Sequence, residues 1–167
     1  MSADDNNHAS EIEIEFRTLK FDFNLYDVFD EISNVRGILR VAVLPVKITK
    51  TENAATSKPI FRMAAVILSS FLNKGERGEP DRQPIDFTKI PDESKIDITE
   101  TLGITSEPYN IFVTTGFKPY YALRYKATVN KAEVVRNKFD ANGDPIVIVS
   151  MSTSSLSYSY HTEQNSR

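Results

Sequence analysis

Pro59-Ile-Phe-Arg-Met-Ala-Ala-Val-Ile-Leu-Ser-Ser-Phe-Leu72 reads in two ways. Taken alone, Ile60, Met63, Ala64, Ile67, Leu68, Phe71 and Leu72 lie along one helical face, with Ser57 where an N-cap would stand and Gly75 where a helix would end. An internal repeat reverses that reading. At a constant offset of 86 residues, Val41, Val43, Ile48, Lys50, Pro59 and Ile60 fall on Ala127, Val129, Val134, Arg136, Pro145 and Ile146. The later copy holds Phe139-Asp-Ala-Asn142-Gly143-Asp-Pro145, and an Asn-Gly pair supplies the positive φ angles of a type I′ hairpin turn. This turn predicts Phe139 opposite Ile146, Val129 opposite Leu156, Ala127 opposite Tyr158 and Tyr125 opposite Tyr160, with Val129 and Tyr158 in the core. By the repeat, residues 38–50 and 59–72 form the equivalent hairpin, so 59–72 is a strand.

Upstream, Glu11-Ile-Glu-Ile-Glu-Phe16 alternates acidic and apolar residues, the pattern of a strand with one wet face. The apolar parity then switches to Leu19, Phe21 and Phe23, which places a bulge or a second strand near Arg17-Thr18. Leu25, Val28, Phe29 and Ile32 follow at i, i+3, i+4, i+7 behind Asn24 as an N-cap, predicting a short helix near residues 24–34. Pro45 confines its strand to an edge or a bulge. The expected fold is mainly β: duplicated long antiparallel hairpins forming a sandwich or barrel-like sheet, plus that one helix. Residues 1–9 and 161–167 read as polar disordered tails, 10–73 as a first β half, 74–108 as a Pro/Gly/charged connector and 109–160 as a second β half.

Arg136, Gly143, Asp144, Pro145 and Ile146, together with Lys58-Pro59-Ile60 and Asn73-Lys-Gly-Glu-Arg-Gly-Glu-Pro80, carry a resemblance. In these segments the chain resembles an uncharacterised group of small archaeal proteins with duplicated β-hairpins, over roughly residues 38–80 and 120–150. The first copy departs from the pattern in having Ser57 where the glycine would stand. The resemblance implies the hairpin architecture and no activity.

Several chemistries lack their residues. The chain has no cysteine, which removes thiol catalysis, thiolate metal sites and disulfides, and both histidines, His8 and His161, lie in the polar ends. No phosphate loop or dinucleotide fingerprint is present. Asp140-Ala-Asn142-Gly-Asp144 begins like a calcium loop, but Pro145 occupies the sixth position and Met151 the twelfth, so it reads as a hairpin turn. Asp81, Asp86, Asp92, Glu93, Asp97 and Glu100 are of the type that supplies an acid/base pair or a Mg²⁺ site, but they alternate with Arg82, Lys89 and Lys95 between prolines, as charges that solvate a connector do. No residue set calls for a cofactor or a metal, and the expectation leans away from an enzyme. The acidic, polar start and the short apolar run Met63 to Leu68 predict a cytoplasmic chain with neither signal peptide nor membrane span.

Charge is unevenly spread about a net of -3. Residues 117–138 carry Lys118, Arg124, Lys126, Lys131, Arg136 and Lys138 against Glu133 alone, while residues 1–33 carry nine acidic side chains against Arg17 and Lys20. Strand parity places Arg124, Lys126, Arg136 and Lys138 on one face, and the repeat adds Arg40 and Lys50. Such a row suits a phosphate backbone, with Phe117 or Tyr120 stacking on bases; the commoner meaning of such a row is a solvated face whose lysines guard a sheet edge. Two functions follow. The first is a structural or protein-interaction role, self-association or a protein partner joining through an edge strand. The alternative is weak binding of single-stranded nucleic acid or another polyanion.

Overall fold

A computed structural model describes residues 11–161, apart from the side chains of residues 153–155 and 161, so the expected tails lie outside the described residues except at His161, whose backbone ends the last strand. Ten strands follow one another: β1 (Ile12–Ile14), β2 (Phe16–Lys20), β3 (Asn24–Asp30), β4 (Val35–Glu52), β5 (Pro59–Asn73), β6 (Lys95–Asp97), β7 (Leu102–Ser106), β8 (Asn110–Thr114), β9 (Tyr120–Phe139) and β10 (Pro145–His161). They form two antiparallel sheets in a sandwich-like arrangement without a closed barrel. β4 is the axis of the first sheet, with β5 along one side, β3 and β1 sharing the other, and β7 added to β3. In the second, β9 has β10 on one side, β8 and β6 on the other, and β2 added to β8.

The bounds of β2, β3, β4 and β5 recur within two residues, at an offset of 86, in β7, β8, β9 and β10. Yet β2 pairs with β8 and β7 pairs with β3. Each half therefore contributes one strand to the other's sheet. The parity switch after Phe16 marks that crossing: β1 lies in one sheet, β2 in the other, and Glu15 alone separates them.

The β4–β5 hairpin is paired from Gly37 and Asn73 to Glu52 and Pro59, so residues 59–72 are strand. A bulge follows Pro45, in the stretch of β4 between its pairings with β3 and β1, where a missing N–H breaks no second ladder. Residues 24–34 are not a helix. They form β3 and a turn, with Asn24, Tyr26, Val28 and Asp30 buried and Asp27 and Phe29 exposed. Two polar residues on the buried side hide the period of two, and Asn24 caps nothing. The segment 74–108 is a connector only as far as Ser94, since β6 and β7 lie within its second part.

The β9–β10 register also differs from expectation. Leu156 stands opposite Tyr125 and Tyr158 opposite Leu123, four residues from the expected partners. Phe139 already stands opposite Pro145, one residue off; β9 then carries three extra residues between Val134 and Phe139, where Asn137 adopts a left-handed φ of 54°, and one more at Asn130, while β10 carries one at Ser154. The turn is not type I′ either: within Asp140 to Asp144 only Gly143 has positive φ, and the Asp140 carboxylate accepts from Asn142 N at 2.8 Å and Asp144 N at 2.9 Å. Val129 is half-buried against the core, whereas Tyr158 is exposed.

The core runs between the sheets, through Tyr26, Val28, Leu39, Val41, Ile98 and Val134 to Phe112, Tyr125, Leu123 and Ile48. Polar groups within it bind across the gap. Asn24 Nδ2 donates to Ala127 O at 2.6 Å, the Tyr125 hydroxyl donates to Val43 O, and Asn110 Oδ1 accepts from Asp22 N at 2.7 Å. Tyr26 donates to Glu107 Oε1 at 2.6 Å, and Glu107 in turn holds Lys126 at 3.1 Å. Val43 lies in the part of β4 served by neither β3 nor β1, and Ala127 in the part of β9 served by neither β8 nor β6.

Strand exchange predicts that a protease site introduced at Gln83, when cut, leaves two fragments that co-elute in gel filtration and part only in denaturant. Separate elution of the fragments under native conditions is the contrary outcome. A second expectation concerns alkali. Burial, then the Glu107 hydrogen bond, pushes Tyr26 from 10.0 up to about 12, and burial does the same for Tyr125. Both folded values are raised, so this stability is fully present below about pH 10 and is lost as pH rises through about 12, roughly 2–3 kcal/mol apiece. Urea midpoints measured across that range should fall steeply for the natural protein and less steeply for Tyr125→Phe.

Candidate interaction site

The six basic residues singled out by the sequence do not form one row. Along β9, buried side chains occupy odd positions from Tyr121 to Ala127 and even ones at Ala132 and Val134, because the Asn130 bulge reverses parity. Arg136 and Lys138 stand 12 residues further along the strand than Arg124 and Lys126, about 40 Å at roughly 3.3 Å per residue.

Five of the six are already engaged. The Arg124 guanidinium lies 3.7 Å from the Tyr109 ring centroid, and Arg40 lies 4.7 Å from that of Phe23. Lys126 is paired with Glu107, Lys50 is 3.5 Å from Glu52 and sits over Phe117, and Lys138 is 2.8 Å from Asp81. That last pair holds Asp81 below its ordinary value, chiefly through the Lys138 hydrogen bond. Arg136 is exposed and, among the described residues, has no hydrogen bond or ion pair.

The less expected feature is the pair of long outer strands. β5 pairs only with β4 and β10 only with β9, so alternate backbone N–H and C=O groups of each point away from its sheet. β5 has Arg62 as its one charged residue, and β10 has no Asp, Glu, Lys or Arg. The charges stand on the inner strands, which carry Arg40, Lys47 and Lys50 on β4 and Arg124, Lys126 and Lys131 on β9. Lysines thus do not guard these edges. From Ala64 to Ser70 every residue of β5 is exposed, including Val66 at 43%, Ile67 at 45% and Leu68 at 44%. The helical spacing read in this segment is the signature of apolar residues on both faces of one strand.

β5 and β10 lie close together along one flank, where Phe61 meets Tyr158 with centroids 5.4 Å apart and Tyr121 meets both rings. Tyr160, 68% exposed, extends this aromatic group at the far end. Among the described residues no three acidic or histidine side chains converge as metal ligands, and no helix is long and apolar enough to cross a membrane. Compared with protein-family models, with curated proteins and with solved structures, the chain matches none.

Proposed function

We propose that the chain is a non-enzymatic structural or interaction protein of the cytoplasm that associates with a second copy of itself along β5. The observation that carries this reading is the uncharged segment Ala64 to Ser70, exposed on both faces and open along its backbone edge. An edge of that kind pairs with another strand unless something blocks it. Two β5 strands related by a two-fold axis at Ile67 would set Ile67 against Ile67 and Val66 against Leu68 of the other copy, with no like charges opposed at the centre. A second copy is favoured over a foreign chain because the molecule already joins its halves by antiparallel strand addition, at β2–β8 and at β3–β7. We read the recurrence at 86 residues as a duplication, of the kind the resembled group of archaeal proteins has.

Binding of single-stranded nucleic acid is the second reading. It is supported by Arg124 lying on Tyr109, an exposed guanidinium and ring against which a base can stack. The two readings part on salt: phosphate contacts weaken steeply as salt rises, and apolar edge pairing does not.

Sedimentation equilibrium should give a dimer for the natural protein across a range of salt, and a monomer for Ile67→Lys. At protein concentrations where the natural chain is also monomeric, the unfolding free energy of that variant should differ by less than about 0.5 kcal/mol, as for an exposed substitution. At higher concentrations only the natural protein gains stability from association. A natural protein that stays monomeric, with salt-dependent retention on an oligonucleotide column, would transfer the function to the basic residues.

A further inference from the structure

After β5 the chain crosses the tip of the β9–β10 hairpin before it reaches β6. Gly78 N donates to Gly143 O at 2.9 Å, Arg77 Nε lies 3.3 Å from Asp144, and Asp81 N donates to Phe139 O at 3.3 Å. Phe139 N returns a bond to Asp81 Oδ2 at 3.1 Å. Between this fastened strap and residues 135–139 lies a cavity of about 770 Å³, within the size range of small-molecule sites. Part of its wall is the extra length of β9, where Asn137 holds a left-handed conformation, a strain that tends to mark functional positions.

Its charges do not balance locally. Asp81 is taken by Lys138, and Asp86 by Lys89 at 3.1 Å and by Thr88. Arg82 and Arg136 also line the cavity, and among the described residues neither has a hydrogen bond or ion pair. Glu79 is the one lining carboxylate left without such a partner. Two guanidinium groups, permanently charged and shaped for two-point bonding of carboxylate or phosphate, thus face one acid. Ile85, Ile90 and Phe139 supply half-buried apolar surface beside them.

We infer that this cavity binds a small organic anion, a phosphate or carboxylate on an apolar body, with Arg82 and Arg136 as partners of the charged group. The site is independent of the β5 edge. Titration of the full chain with phenyl phosphate, benzoate and inorganic phosphate at low salt, followed by calorimetry, tests it. Phenyl phosphate or benzoate should bind saturably, and the stronger of the two identifies the anion class. Arg82→Gln and Arg136→Gln should each weaken that binding about tenfold, the loss expected of one charge-assisted bond. Arg124→Gln, outside the cavity, should leave it unchanged, and none of the three should shift the urea midpoint. Absence of saturable binding by both organic probes, or an equal loss in Arg124→Gln, overturns the inference. Inorganic phosphate binding as tightly as phenyl phosphate would overturn the role of the apolar wall.

Discussion

Every part of this molecule is conditioned by the exchange of β2 and β7. A strand of five residues from each half completes the sheet of the other, so neither half closes its own ladder. The long strands β4 and β9 then have a full partner on one side and an interrupted one on the other. Buried carbonyls in the interruptions need donors, because an unpaired one costs about 1–3 kcal/mol. Asn24 and Tyr125 supply those donors from the opposite sheet. Asn24 and Asn110, 86 residues apart, each open the strand that follows a crossing and each bind backbone of the other half. Side-chain amides at those positions therefore join the halves where regular pairing stops.

The same exchange decides which edges remain open. Short strands cover the inner sides of β4 and β9, while β5 and β10, of 15 and 17 residues, have no strand paired to their outer sides. Charges that ordinarily protect such edges stand one strand inward, where they pair with Glu107 or lie on Tyr109 and Phe23. An edge that is long, apolar and uncharged is tolerated in a folded protein when something covers it. The placement of charge thus argues for association more strongly than the local excess of lysine and arginine argues for a polyanion.

The strand identity of residues 59–72 was legible only through the offset of 86, since their own spacing belongs to a helix. The failure at 24–34 has the opposite cause. There the strand period was present, but Asn24 and Asp30, polar and buried, removed it from any hydrophobic pattern. The register of β9 against β10 was out of reach because bulges at Asn130 and before Phe139 leave no compositional trace. Those bulges also undid the parity argument for Arg136 and Lys138. Arg82 read as one charge in a solvated connector, and only folding brings it to the same cavity as Arg136.

The two hairpin tips show how similar turns take different roles. Ser57 and Gly143 stand 86 residues apart, and both have positive φ, 53° and 80°. Serine at the first tip meets the left-handed requirement at modest cost in a turn closed by Ser57 N and Thr56 N on Asn53 O. At the second tip φ is the lesser demand. A Cβ on Gly143 would stand 2.6 Å from Gly78 O, and one on Gly78 would enter the Phe139 ring, so the backbones of strap and tip touch only because both residues are glycine. The segments most conspicuous in the sequence, Asn73 to Pro80 and Gly143 to Ile146, meet at this contact through Gly78, Gly143, Arg77 and Asp144. Their conspicuousness follows from packing the strap. The consequence reaches Arg82, because a strap fastened through Asp81 holds that arginine beside the cavity, whereas the exposed segment of β5 needs no such support.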